Sequence, residues 1–286
     1  SNHRDIILDS AILNISLIDE GIESTETAIG SNLLTSDLAR DLSKLNKNFI
    51  VKRNVPRKEL YSNSLKLSSY IHQSIKEQRT SVWLAQKEGR TKDGLDLTQP
   101  GLLKMLTISC DEAYADCFSS LNMLPMSISY EYDPCDYLKA KEIRHLRLNN
   151  SYEKSKHEDL QSMMTGALGY KGRIHLEIGK SFNNEIETLR GEQNKNEKIR
   201  ILAQILDKKI HNLYRLWPSN YVAHAMLYPG DSNKQNYTSS EWDRFEEYLE
   251  GQLARIEGAD IEHRDILLHM YANPVLRFEQ YLEQQI

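Results

Sequence analysis

Residues 1–10 read SNHRDIILDS, a histidine and two carboxylates within an increasingly apolar run. The apolar positions continue to Asp19 and predict a loop that leads into a mostly buried helix over residues 5–19. Imidazole titrates near neutral pH, and a neighbouring carboxylate fixes its tautomer and stabilises its protonated form. His3 with Asp9 or Asp5 is therefore equipped to take a proton from a hydroxyl. A polar surface histidine is the other interpretation of the same residues.

Strand patterns alternate with helical patterns along most of the chain. The strands are predicted at residues 25–30, 48–52, 81–86, 124–131 and 173–179. This alternation predicts the α/β class, with a largely parallel sheet flanked by helices and a further strand ahead of residue 1. Residues 221–227 fit either a strand or a helix.

The last fifty or so residues carry helical patterns and no strand pattern. We therefore expect an α/β domain over residues 1–235 and a C-terminal helical extension over residues 236–286. The final helix is predicted at 261–284, and Pro274 should kink or split it, because proline removes a helical hydrogen bond.

Composition limits the classes of protein that the chain can belong to. It has 286 residues, 40% of them hydrophobic, and a formal net charge of −5, so it lacks the basic excess of a nucleic-acid binder. Its three cysteines, Cys110, Cys117 and Cys135, have no metal-ligand spacing and cannot all pair, which favours a reducing compartment. The sequence contains no apolar run near the roughly 18 residues of a membrane span, and no signal-peptide pattern.

Cationic loops follow two of the predicted strands. Lys52 and Arg53 come directly after one strand, and the glycine-bracketed loop 88–94 follows another with Arg90. Since the carboxyl ends of parallel strands meet at one edge of a sheet, these cations can form an anion clamp, and arginine and lysine suit phosphate. The alternative interpretations are that Lys52 and Arg53 are solvent-exposed residues at the end of a strand, and that the loop 88–94 is an ordinary Lys-Asp-Gly turn.

Four blocks of sequence occur in the order typical of one enzyme family. They are Asn2-His3 with Asp9, FIVKR at 49–53, EGRT at 88–91 and LPMSI at 124–128. Over residues 1–135 the chain resembles the glycerolipid acyltransferases, which include 1-acylglycerol-3-phosphate and glycerol-3-phosphate acyltransferases. It departs from the family pattern twice: five residues instead of four separate His3 from Asp9, and Arg90 follows Gly89 one position early. The longer spacing leaves Asp5 as an alternative partner for His3.

The resemblance implies an O-acyltransferase of phospholipid biosynthesis. His3 would be the catalytic base and Asp9 its partner, while Lys52, Arg53, Glu88, Gly89 and Arg90 would bind the substrate. The acyl group would pass from acyl-CoA or acyl carrier protein to a hydroxyl of a lysophosphatidate-like acceptor, with no metal and no further cofactor. The implied partners are the lipid acceptor, the thioester donor and a membrane surface, at the cytoplasmic inner face. An enzyme of this fold with another lipid acceptor, and a non-catalytic lipid-binding or scaffold protein, are the alternatives, and the oligomeric state is left open.

Overall fold

A computed structural model describes residues 1–34, 37–53, 55–155, 157–230 and 233–283 of the chain. Three short strands form a parallel sheet in the order β2-β1-β3, and two further strands form an antiparallel pair. The strands are β1 (Glu26–Gly30), β2 (Asn48–Val51), β3 (Val82–Trp83), β4 (Met126–Tyr130) and β5 (Ile174–Ile178). In the parallel sheet Thr27 lies opposite Asn48 and Trp83, and in the antiparallel pair Ile128 lies opposite Leu176.

Twelve α-helices within the described residues surround these strands. They are α1 (Leu8–Asp19), α2 (Asp37–Leu45), α3 (Leu60–Lys76), α4 (Pro100–Thr107), α5 (Tyr114–Ser120), α6 (Asp136–Asn149), α7 (Glu158–Leu168), α8 (Asn183–Thr188), α9 (Lys195–Leu213), α10 (Pro218–Leu227), α11 (Ser239–Leu253) and α12 (Ile261–Glu283). Among the described residues, none of these helices is long and apolar enough to cross a bilayer.

The segment 1–3 joins the two sheets. The backbone nitrogen of Ser1 donates to Leu84 O at 3.0 Å, and Gln86 N donates to Ser1 O at 2.7 Å, so this segment runs beside the chain that leaves β3. On its other side, the Asn2 side-chain amide exchanges two hydrogen bonds of 2.9 Å with the backbone of Ile128 in β4. A primary amide offers the same donor and acceptor as a peptide group, and Asn2 is fully buried in this position.

The α/β class is confirmed, but the expectation of one largely parallel sheet is wrong, because the parallel sheet is small. Of the strands in the described part of the chain, β1, β2 and β3 pair in parallel, and β5 runs antiparallel to β4. Two helices, α6 and α7, connect β4 to β5. The second helix brings the chain back to the end of the sheet at which β4 stopped, and β5 begins there. A single crossover helix would instead have produced a parallel neighbour.

Buried residues of the described ranges form three apolar clusters. One lies among α3, α4, α5, α8 and α9 around Phe118 and Phe182, and another among α6, α10, α11 and α12 around Phe245 and Leu267. The third packs α1 against β3 and β4 through Leu13, Trp83 and Ile128, and it lies directly under the segment that carries His3.

Several local expectations need correction. The helix predicted at 5–19 begins only at Leu8, and it is not mostly buried, because Ile15 and Ile18 are 59% and 61% exposed. Its isoleucines are spread around the helix, so their number did not indicate burial. The strand predicted at 48–52 ends at Val51 and lies at the edge of the parallel sheet, with Ile50 56% exposed. The ambiguous segment 221–227 belongs to helix α10, and α12 continues through Pro274 to Glu283, whereas Gln284 lies outside the described residues.

Two of the three cysteines are not reduced, contrary to the expectation from their spacing. Cys110 and Cys117 form a disulfide with a Cα–Cα distance of 6.1 Å, and Cys135 is a buried free thiol. The loop between α4 and α5 turns back so that residues seven apart meet, which the spacing alone did not indicate. Among the residues that the structure describes, the one group with metal-ligand proximity is this pair with His72, and the bond between the two sulfurs occupies the thiolates that a metal would need.

Candidate active site

Asp9 is the centre of the site. Its carboxylate is fully buried in the first turn of α1 and accepts hydrogen bonds from four groups. His3 Nδ1 lies 2.8 Å and Arg4 N 2.7 Å from Oδ2, Asp5 N lies 3.1 Å from Oδ2, and the Tyr130 hydroxyl lies 2.8 Å from Oδ1. Backbone donors and a buried phenol therefore fix both oxygens, and the orientation of Asp9 does not depend on His3.

Asp5 has a different task from Asp9. Its Oδ1 accepts hydrogen bonds of 2.9 Å from the N–H groups of Ile7 and Leu8, so it satisfies donors at the beginning of α1. Burial raises the pKa of Asp5 despite these two bonds. Residues 4–7 precede the helix, and this turn accommodates the longer spacing between His3 and Asp9. The carboxylate that meets His3 is Asp9.

His3 lies at the edge of the protein surface with its side chain 14% exposed. Its ring meets Trp83 edge-on, with centroids 5.7 Å apart and an interplanar angle of 74°. With Asp9 accepting from Nδ1–H, the lone pair of the neutral imidazole lies on Nε2. Within the described part of the chain Nε2 has no hydrogen-bond partner, so it is free to accept a proton.

Tyr130 is placed to stay protonated. Burial and the neighbouring Asp9 carboxylate both raise the pKa of Tyr130 far above its usual value. The phenol therefore donates to Asp9 at every pH at which the protein is expected to work. Tyr130 is the last residue of β4, and the same strand binds Asn2, so β4 holds the His3 segment at two points.

A buried charge network supports the backbone next to His3. The Arg4 guanidinium pairs with Asp96 and lies over the Tyr214 ring, 5.2 Å from its centroid. Lys139, whose side chain is 1% exposed, donates to Arg4 O at 3.0 Å and to Asp133 Oδ2 at 2.5 Å. Burial raises the pKa of the Asp133 carboxyl, but Lys139, the Cys135 N–H and Arg90 together outweigh burial, so the net pKa is lowered.

Arg53 lies across the end of β1. Its backbone N–H donates to Ser31 Oγ at 3.0 Å, and its guanidinium pairs with Glu88. A β-carbon at Gly30 would lie 3.1 Å from Arg53 Nε, so the glycine leaves room for the side chain. Lys52, by contrast, is exposed, and no charged or hydrogen-bonding partner is found for it among the described residues.

Arg90 follows a turn that requires glycine. Gly89 has φ +75°, a conformation that side chains other than glycine rarely adopt. Arg90 Nη1 is buried without a hydrogen-bond partner in the described chain, and the guanidinium is close enough to Asp133 and Asp159 to lower the pKa of both. Asp159 also accepts from the Asn32 amide at 2.9 Å, which links α7 to the end of β1.

The structure brings together most of the residues predicted for the site. Thr91 N donates to His3 O at 2.7 Å, so the loop that carries Glu88, Gly89 and Arg90 is bonded directly to the His3 segment, and Glu88 connects it to Arg53. Lys52 is the exception, because it points to solvent beside the group. No protein-family model and no curated protein matches this chain.

Four residues of the site were not predicted. Asn2 belongs to the quoted motif but had no assigned role, and Tyr130 ends a strand that the sequence does indicate. Asp133 and Lys139 follow β4, where strand-end residues commonly face a ligand crevice. Because both have ordinary loop and helix contexts in the sequence, only the fold reveals that they lie beside Arg4.

Proposed function

We propose that this chain is an O-acyltransferase of the glycerolipid acyltransferase type. The hydrogen bond from His3 Nδ1 to the buried, independently fixed carboxylate of Asp9, at 2.8 Å, is the observation that carries the proposal. This pairing fixes the tautomer in which Nε2 is a base and stabilises the imidazolium that forms when Nε2 takes a proton.

The reaction then proceeds by general base catalysis. His3 Nε2 takes the proton of the acceptor hydroxyl while the oxygen attacks the thioester carbonyl carbon. The new C–O bond forms an ester as the C–S bond breaks, and the imidazolium returns its proton to the departing thiolate. Acyl-CoA or acyl carrier protein supplies the thioester, so no metal or further cofactor is required for the balance of atoms and charges.

The arginines supply the reason for a phosphorylated acceptor. Arg90 belongs to the loop that is bonded to His3, and Arg53 pairs with Glu88 of the same loop. Arg90 has a buried nitrogen without a hydrogen-bond partner in the described residues. Guanidinium groups bind phosphate through charge-assisted, often bidentate, hydrogen bonds. A phosphate there would anchor the acceptor while its hydroxyl meets His3. Lys52 would act only through long-range attraction.

A lipid surface is the proposed location, because the implied acceptor and product are lipids. Helix α7 supports it: its inner face meets the site at Gly166, where a β-carbon would lie 2.0 Å from Asp5 Oδ2. Its outer face exposes the apolar residues Leu160, Met164 and Leu168, and the Lys171 ammonium beyond it donates to the carbonyl oxygens of Ala167 and Gly169. An apolar stripe next to a cation suits an anionic phospholipid surface at the cytoplasmic side of a membrane.

A second candidate is an acyltransferase of the same type whose acceptor lacks the phosphate. The ion pair between Arg53 and Glu88 favours it, because it neutralises one cation of the clamp. A non-catalytic lipid-binding role is the third candidate, and it differs from both in predicting no transfer.

Acceptor profiling tests the proposal. The purified chain would receive a radiolabelled acyl thioester together with glycerol 3-phosphate, 1-acylglycerol 3-phosphate or their dephosphorylated counterparts. We expect transfer to the phosphorylated acceptors, with transfer to the dephosphorylated ones weaker by about tenfold or more. Equal use of both would favour the second candidate, and absence of transfer by the folded chain would favour the third. With vesicle-bound acceptor, Leu168→Glu should slow transfer while leaving soluble acceptors unaffected.

A further inference from the structure

Helix α12 contacts the loop that carries the proposed acceptor-binding residues. The Asn273 amide donates to Asp93 O at 2.6 Å. One residue further along the loop, Gly94 has φ +76° and approaches the helix so closely that a β-carbon there would lie 2.4 Å from Met270 O. The same loop donates Thr91 N to His3 O at 2.7 Å, so it is held between His3 and α12.

Pro274 explains why the loop can approach α12 at this turn. In a regular helix the N–H of residue 274 would donate to the carbonyl of Met270, but proline has no N–H. The carbonyl of Met270 is therefore released from the helical ladder on the side where Gly94 packs. The Pro274 Cδ atom would lie 3.2 Å from the same β-carbon, so only glycine fits against this turn.

A second contact joins α12 to the loop that follows β4. The Tyr271 hydroxyl accepts from Asp133 N at 2.9 Å and donates to Asp136 Oδ2 at 2.7 Å. Asp133 in turn pairs with Lys139, which donates to Arg4 O. Between Arg4, Tyr130 and Tyr271 lies a cavity of about 20 Å³, enough for a single water, so α12 closes the back of the site.

We propose that α12 is a positioning element of the acceptor site: Asn273 and the turn at Met270 hold the loop 88–94 against His3, so that Arg90 meets the acceptor phosphate. This assignment gives the C-terminal helices a role in substrate binding, and it rests on the proposed function. None of the α12 residues touches the acceptor itself. Loosening the loop should weaken acceptor binding more than it slows the chemical step, because His3 and Asp9 are fixed by β4 and by the start of α1.

Asn273→Ala is the direct test, with Gln280→Ala as its control. Both remove an amide from α12, but the Gln280 side chain is exposed, and among the described residues its hydrogen-bond partner is Arg277 of the same helix. We expect Asn273→Ala to raise the KM for glycerol 3-phosphate about fivefold, with kcat and the KM for the acyl thioester within about twofold of wild type. Amide hydrogen exchange in peptides covering residues 88–94 should become faster, whereas Gln280→Ala should change neither quantity.

Gly94→Ala provides an independent approach from the loop side. It leaves α12 intact but places a methyl group against Met270 O at a positive φ, so it should reproduce the raised acceptor KM and the faster exchange of the loop. The inference would be overturned if Asn273→Ala left the exchange of residues 88–94 unchanged, or if it altered the donor and acceptor KM equally. If the wild-type chain transfers no acyl group, the proposed function fails, and the exchange measurement alone still decides whether Asn273 holds the loop.

Discussion

The Tyr130 hydroxyl donates to Asp9 Oδ1 at 2.8 Å, on the carboxylate oxygen opposite the one that meets His3. A carboxylate that accepts from one side only can rotate away from its imidazole. Here the strand β4 helps to prevent this, because its last residue donates to Oδ1, which also accepts from Asp5 N at 3.2 Å. The site thus depends on a long-range contact between β4 and the first turn of α1, and not on the local motif alone.

Tyr130→Phe should show the effect of the hydrogen bond to Asp9 separately from the packing of the Tyr130 ring. The ring is retained, but one hydrogen bond to a buried carboxylate is lost, so we expect kcat to fall about tenfold with little change in either KM. Steady-state kinetics measure this effect, and Tyr61→Phe is the control because Tyr61 is 67% exposed. A Tyr130→Phe enzyme with wild-type kcat would show that the hydroxyl does not orient Asp9 for the reaction.

Asp9→Asn and Asp5→Asn should have opposite outcomes. Asparagine at position 9 cannot stabilise the imidazolium of His3, so transfer should fall by about 10²- to 10⁴-fold. Asparagine at position 5 still accepts from the N–H groups of Ile7 and Leu8, so transfer should persist and the free energy of unfolding should change by less than about 1 kcal/mol. Transfer rates and denaturant unfolding measure both. A larger loss of activity in Asp5→Asn would reverse the assignment of the two carboxylates.

Arg53→Gln and Lys52→Gln remove neighbouring cations that differ in their surroundings. Arg53 lies at the end of β1 beside Glu88, whereas Lys52 points to solvent. Loss of a charge-assisted contact to phosphate should raise the acceptor KM by about tenfold or more in Arg53→Gln. The KM of Lys52→Gln should stay within about twofold of wild type. Transfer rates at varied acceptor concentration give both KM values. Equal changes in KM for the two substitutions would mean that these cations attract the acceptor only through a diffuse positive field.

Asp136 should make the stability of the protein depend on pH. Burial, and then the nearby Asp133, raise the pKa of Asp136 to about 7, although Tyr271, Tyr248 and the Tyr137 N–H donate to it. Gln252 on α11 also donates to it. The folded protein still holds a proton on Asp136 at pH values at which the unfolded chain has released it. The contribution of Asp136 to the free energy of unfolding is therefore complete below the pKa of Asp136 in the unfolded chain, and it is lost as the pH rises through about 7.

The expected loss is on the order of 2–3 kcal/mol of unfolding free energy between pH 5 and pH 8. In Asp136→Asn that position does not titrate, so the difference between the two pH values should shrink by this amount. Urea unfolding at each pH gives the comparison. An unchanged pH dependence in Asp136→Asn would mean that this carboxyl is not the titrating group.

The sequence indicates the local parts of the site well. The proximity of His3 to one of two carboxylates, Asp5 or Asp9, the glycine turn before Arg90 and the cation after β2 are predicted from residues close to one another, or from the general position of strand ends. The choice of Asp9 over Asp5 comes from the structure. The alternation of strands and helices likewise predicts the α/β class. These features depend on short-range chemistry, which the order of residues shows directly.

The remaining features depend on contacts between distant segments. The side-chain amide of Asn2 hydrogen-bonds with the backbone of Ile128 in the way a peptide group would. The Tyr130 hydroxyl donates to Asp9, and Glu88 pairs with Arg53. None of these contacts leaves a periodic pattern. The antiparallel direction of β5 and the exposure of Ile18 also depend on how helices return and pack. A proline within a long helix predicts a kink, but not that a glycine loop from 180 residues earlier would pack against that turn.

In the proposed reaction the His3 imidazole is the base that activates an acceptor hydroxyl. The most direct measurement is the transfer of a radiolabelled acyl group from a thioester to 1-acylglycerol 3-phosphate by wild-type protein and by His3→Ala, with circular dichroism confirming that both are folded. We expect transfer by the wild type and a rate lower by about 10²- to 10⁴-fold in His3→Ala. Equal transfer by the two proteins would contradict this expectation.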